Sequence, residues 1–163
     1  MKDFLEDFHQ TIEGAAARLL SLSAAASQAA PAPGKWSPRE VIGHLIDSAA
    51  HNHQRFVRAQ FTDDLQFPGY EQAEWVGTQG YNDEGWEQLV QLWKLYNLHL
   101  LHLISRIPPE QLTKQRRKHN LHQLAWQAVP EEQPATLEYF IRDYLGHLKH
   151  HLGQISGITG TRV

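Results

Sequence analysis

"SPREVIGHLIDSAAHNHQRF", residues 37–56, carries its own start signal. Ser37 offers a side-chain acceptor at the N-cap, and Pro38 fits the first helical position. Glu40 falls three residues after the cap, where its carboxylate can reach back to the cap N–H. A helix from Ser37 to about Gln60 is therefore expected. Val41, Ile42 and Leu45 supply its apolar face. Beside them His44, Asp47, Ser48, His51 and Arg55 share a second face. Burying such a run unpaired would be costly, so this face must reach solvent or line a polar site. Gly43, next to His44, permits close approach of another helix.

On either side the chain keeps a helical period. Phe4, Phe8, Ile12, Ala15, Ala16 and Leu19 predict a first helix over about 3–28, stopped by "AAPAPGKW" at 29–36. "FTDDLQFPGYEQAEWVGTQGYND", residues 61–83, reads as a long turn-rich loop whose aromatics pack over something. A connection of that length can cross a whole bundle, which allows the second and third helices to run parallel. Leu89, Leu92, Trp93, Tyr96, Leu100 and Leu103 mark a third helix over about 83–105. Residues 113–134 read as polar and irregular. Thr136 caps a fourth helix that runs to about Gly157. No repeat and no strand alternation is visible. The expected fold is all-α, one domain over residues 1–163, a four-helix bundle with a long crossover loop between helices two and three.

Composition narrows the function classes. The 15 Lys and Arg against 18 Asp and Glu give a net charge of −3, which does not favour nucleic acid as a partner. The absence of cysteine excludes disulfides, thiolate ligands and a cysteine nucleophile. The opening "MKDFLEDFHQ" lacks the basic and apolar regions of a signal peptide. No segment reaches the roughly 20 apolar residues of a membrane span. A cytoplasmic protein that engages no membrane is expected. What stands out is 11 histidines and 5 tryptophans.

"YLGHLKHHLGQI", residues 144–155, places His147 and His151 four apart. On a helix, side chains at that spacing have Cβ atoms about 5–6 Å apart and can converge on one cation, at about 2.0–2.1 Å for zinc. His150 points away from both. The pair alone is a weak signal, because paired histidines on a bundle helix can simply hydrogen-bond to neighbours. A third imidazole changes that. If the polar face of the second helix meets the fourth, His44, His147 and His151 form a three-histidine site with open positions, the pattern of a catalytic metal. His51 is an alternative ligand. His99 and His102, three apart on the third helix, are more readily satisfied or half-exposed residues, with a second metal pair as the alternative, and His9, one turn into the first helix, is a minor candidate to approach the site. "KQRRKHN", residues 114–120, reads as a solvated loop, with anion binding by Arg116 or Arg117 as the alternative.

Three stretches together resemble the DinB-like superfamily: "KWSPREVIGHLIDS" at 35–48, "FPGYEQAEWVGTQGYN" at 67–82, and "YLGHLKHHLGQI" with its HxxHH motif. The resemblance spans about residues 35–155. It implies a four-helix bundle with one metal ion held by three histidines, which at the matching positions are His44, His147 and His151. Members have been described as metal-dependent hydrolases, and some as thiol S-transferases that use bacillithiol or mycothiol. Many are dimers.

A divalent ion on three imidazoles, zinc or nickel by ligand type, can activate water for hydrolysis or a thiol for transfer to a small electrophile. Since the chain has no cysteine, any thiol is a cosubstrate. Asp47, His51 and Glu71 are candidates for a general base. Asp47 can instead orient a ligand imidazole. Tyr144, one turn before His147, is placed to hydrogen-bond an oxygen at the site, or to serve as a core tyrosine. The competing readings are a non-catalytic, stress-linked metal-binding bundle and a helical interaction module without metal.

Overall fold

The computed structural model describes residues 1–159, with side chains to Ser156. Four long helices dominate: α1 (Lys2–Leu20), α3 (Pro38–Arg58), α5 (Trp86–Ser105) and α8 (Leu137–Thr159). Short helices fill the connections: α2 (Ala24–Gln28), α4 (Gln72–Gln79), α6 (Pro109–Thr113) and α7 (Leu121–Leu124). The described residues contain no sheet, only isolated bridges joining Leu65 to His119 and Arg116 to Ala135. None of the described helices is long and apolar enough to cross a membrane.

Contacts between helices fix their directions. Arg39, at the start of α3, donates to the carbonyl of Glu84 just before α5. His53, late in α3, lies against Tyr96 and His99, late in α5. These two helices therefore run the same way, joined by residues 59–85. By contrast His44 meets His151, and Phe56 meets Phe140, so α3 and α8 are antiparallel. The core lies among the four long helices, where Phe8, Phe56, Leu45, Trp93 and Leu148 are fully buried. Tyr144 packs its ring edge-on against both Phe8 and Phe56.

The capping box at Ser37 forms as the sequence predicts. Its hydroxyl accepts from Glu40 N at 3.2 Å, and Glu40 Oε2 accepts from Ser37 N at 2.8 Å. Other expectations need correction. The first helix does not run from 3 to 28 but stops at Leu20. Ser21 Oγ donates to Arg18 O, and Ser23 caps α2 by accepting from Ala26 N. Serine hydroxyls that compete for backbone groups break the alanine-rich run. The short α2 is then held by Arg39, whose Nε donates to Ser27 Oγ at 3.0 Å.

Residues 61–83 are also not a plain loop. They contain α4 and a single 3-10 turn over Tyr81–Asp83, separated by Gly80 at φ 62°. That left-handed conformation suits glycine. Gly43 serves this segment rather than a second helix. A Cβ built on it would stand 2.0 Å from the Tyr81 ring, so the tyrosine lies flat on α3 only because residue 43 has no side chain. Nor is the basic run at 114–120 simply solvated. Arg116 is buried and donates to Ala59 O at 3.1 Å, Gln111 O and Lys114 O, so it is a structural clamp and not an anion site.

A three-histidine cluster between α3 and α8

The capped start of α3 sets its register, and His44 enters the bundle fully buried. Antiparallel α8 presents His147 and His151 to it. The Nε2 atoms of His44 and His147 are 3.3 Å apart. One ring nitrogen from each of the three histidines falls within 4.8 Å of the others. Ring centroids are 5.2 Å apart for His44 and His147, 4.7 Å for His44 and His151, and 4.5 Å for His147 and His151. Trp36 closes the far side of His44, with its ring centroid at 5.2 Å.

The donor set fits a divalent cation. Two nitrogens each about 2.0–2.1 Å from a tetrahedral zinc lie about 3.3–3.4 Å from one another, which matches the His44–His147 separation. Protonation does not compete strongly. Burial, followed by the charge of His151, pushes His44 down to about 3. Burial, followed by His151, His44 and His150, pushes His147 down to about 3. His151 is also lowered, chiefly by burial. All three imidazoles are neutral at neutral pH and keep a lone pair for a ligand.

Gln154 sets the tautomer of His151. Its Oε1 can only accept, so His151 Nδ1 carries the proton and donates at 2.8 Å. Its Nε2 amide donates in turn to His150 Nε2 at 3.2 Å. His151 Nε2 is thereby left bare. His150 stays outside the cluster, exposed, with its ring over Trp126 at 5.4 Å.

The other candidates lie nearby but engage different partners. Asp47 does not hold a cluster imidazole. Its Oδ1 accepts from Tyr81 OH at 2.8 Å and Gln79 Nε2 at 2.7 Å. His51 is not brought into the cluster. It stacks on Tyr70 with centroids 4.0 Å apart and 6° between planes, and Trp75 flanks it. Burial lowers its pKa, the Arg55 charge adds to this, and Asp47 opposes both. Tyr144 is a buried core tyrosine whose hydroxyl donates to Asn97 Oδ1 at 2.6 Å, so its proton goes to α5. Glu71 is exposed on the rim of a cleft. Of the remaining histidines, His9, His99 and His102 are exposed. His119 is buried, donating from Nε2 to Gln133 O at 2.6 Å and accepting at Nδ1 from Leu121 N.

Sequence reasoning gave no role to Gln154, Trp36, Asn52 or Trp126. The spacing of Gln154, three residues after His151 on the same face, was the available signal. A cleft of about 620 Å³ opens beside His147 and His151, walled by Ser48, Asn52, Arg55 and Tyr70 of the α3 side and by Trp126. Burial, then Asp47, pushes the Tyr70 hydroxyl up to about 12, so it remains a donor. A second cleft of about 440 Å³, lined by Trp36, Val41 and Gln154, reaches His151 from the other side.

The fold is shared with a solved structure, YfiT from Bacillus subtilis, described as a probable metal-dependent hydrolase with an unusual four-helix bundle topology. The two superpose with a TM-score of 0.72 at 18% identity, covering 99% of this chain and 91% of that one. At that identity the likeness concerns the fold alone. No curated protein sequence matches the chain. The family model of the DinB superfamily matches residues 7–155, and the chain belongs to that superfamily.

Proposed function

We propose that His44, His147 and His151 hold one divalent cation, zinc or nickel, and that the protein is a metal-dependent enzyme acting on a small electrophile. The observation that carries this reading is three neutral imidazoles converging on one point beside an open cleft. The description of YfiT as a probable metal-dependent hydrolase supports it. When bound, the cation supplies a Lewis acid that favours the deprotonated form of water or of a thiol. The chain's own residues do the rest. Gln154 keeps His151 Nε2 free of its proton, Trp36 shields His44 from solvent, and the cleft admits the substrate.

With water as nucleophile the reaction is hydrolysis. With a low-molecular-weight thiol it is S-transfer, and the cysteine-free chain leaves the thiol to a cosubstrate. Asp47 and His51 act, in this reading, from behind the site. Asp47 anchors the Tyr81 turn, and His51 braces Tyr70 on the cleft wall. Tyr144 sets the depth of α8 against α5 through Asn97. The compartment proposed is the cytoplasm. The assembly proposed is a homodimer through α5, whose Leu92 and Leu95 are 46% and 62% exposed.

The deciding experiment is elemental analysis of protein purified without a histidine tag, alongside His44→Ala. About one equivalent of zinc or nickel in the wild type, and a sharp loss in the variant, is expected. A wild-type protein that takes up neither metal when supplied with both would make the bundle an interaction module. Turnover of an electrophile with and without added thiol then separates transfer from hydrolysis.

A further inference from the structure

The polar face of α3 does not end at the histidine cluster. His44, Ser48, Asn52 and Arg55 follow one another at helical spacing, and the last three line the same cleft as His147 and His151. Arg55 stands 11 residues beyond His44, about 16 Å along the helix. It is only 6% exposed. Its Nη2 donates to Pro68 O at 3.0 Å, and its guanidinium lies 6.0 Å from the Phe140 ring centroid. The described ion pairs do not include it. A buried guanidinium without a carboxylate is costly, because desolvation is not offset by a counter-charge. Asn52, one turn away, has a buried Oδ1 with no partner. Tyr70, on the same wall, keeps its hydroxyl proton.

An unpartnered Asn52 Oδ1 one turn from a buried cation that has no counter-charge among the described residues, in a cleft that also reaches the histidine cluster, points to a ligand. We propose that Arg55 is the anchor for a carboxylate on the substrate or cosubstrate, whose reactive end lies at the cluster. Guanidinium matches a carboxylate through two parallel N–H donors. Arg55 is the one arginine in a lining that has no lysine and also carries Glu71 and Asp143, so it can pair with one carboxylate, while a phosphate dianion would find no second counter-charge. Asn52 Oδ1 accepts an N–H or O–H from the same molecule. The proposal rests on the metal-dependent reading for the reactive end only. The carboxylate subsite stands on Arg55 and its surroundings.

Two measurements test the two ends separately. In metal-free wild-type protein, the Arg55 Nε–H resonance is followed by NMR while hexanoate, hexanamide or inorganic phosphate is added. A saturable shift with hexanoate, absent with hexanamide and weaker with phosphate, is expected. No shift, an equal shift with the amide, or tighter binding of phosphate overturns the carboxylate assignment. In cobalt-loaded protein, a series of mercaptoalkanoic acids and the matching mercaptoamides is titrated by the thiolate-to-cobalt absorption band. The acids should bind at least about tenfold more tightly than the amides. Arg55→Gln should erase that preference while cobalt content is unchanged. A preference that survives in Arg55→Gln removes Arg55 from the role. Failure of the protein to take up cobalt would sink the metal reading, and the NMR result would still decide the subsite.

Discussion

Gln154 accepts the Nδ1 proton of His151 at 2.8 Å and so fixes which nitrogen of that imidazole faces His44 and His147. Partners of this kind hold ligand orientation and basicity, and removing them usually lowers metal affinity by about 10–100-fold. Gln154 is exposed, so the lower end applies. Gln154→Leu should weaken zinc binding about tenfold and leave the fold intact. Competition with a chromophoric chelator measures it, and unchanged affinity would remove the glutamine from the site.

Alanine at any of positions 44, 147 or 151 should sharply reduce metal occupancy. His53→Ala is the clean control, since His53 is half-buried beside Tyr96 and His99, away from the cluster. His119→Ala is a different kind of control. It should leave metal content unchanged yet destabilise the protein by about 1–3 kcal/mol, because Leu121 N and Gln133 O lose their buried partner. Metal analysis and denaturant melts on the same samples separate the two effects. A His147→Ala protein with full metal content would refute the assignment.

Gly43→Ala should cost about 1–3 kcal/mol, the usual range for overpacking. The new methyl would meet the Tyr81 ring at 2.0 Å, and the ring must move or α3 must shift. Moving the ring also strips Asp47 Oδ1 of its Tyr81 hydroxyl. Tyr81→Phe isolates that second effect, and should destabilise by about 1–3 kcal/mol through the underpaired buried carboxylate. If Gly43→Ala is as stable as wild type, the ring contact is not what requires glycine.

The metal-free protein should lose stability as pH falls from about 6.5, the ordinary histidine value, towards about 3, the value to which His44 and His147 are depressed. Between those limits the unfolded chain binds protons at both positions and the folded chain does not. Stability therefore rises with pH across the window and is level above it, as far as these two residues are concerned. Denaturant midpoints between pH 4 and pH 7 test the sign. A flat profile for the wild type, or an equal slope in the His44→Ala and His147→Ala variants, would contradict it.

Much of this was legible locally. The Ser37–Glu40 capping box and Pro38 set the start of α3, and with it the phase of His44, Ser48, Asn52 and Arg55, because caps and helical period act within a few residues. The i, i+4 spacing of His147 and His151 needed nothing beyond α8 itself. Short-range competition was harder to read. The serines at 21 and 23 broke a run of good helix formers, and α4 formed in a stretch whose glycines and proline argued for loop. In both, the outcome depended on docking: Arg39 holds α2, and Tyr81 on Gly43 holds the end of the α4 segment.

By its own periodicity and caps, the sequence determined that the chain is a helical bundle and which faces of α3 and α8 are polar. Only the tertiary structure decided that those faces meet, bringing His44 within 3.3 Å of His147 across 103 residues of chain. It also decided that the Asp47 carboxylate serves Tyr81, that the Tyr144 proton goes to Asn97, and that Arg116 is a clamp while Arg55 opens on the cleft. The physical reason is range. Caps and hydrophobic stripes are settled by neighbours one or two turns away. The partner of a buried polar group is settled by whichever distant segment packing brings within hydrogen-bond distance, and that requires the folded chain.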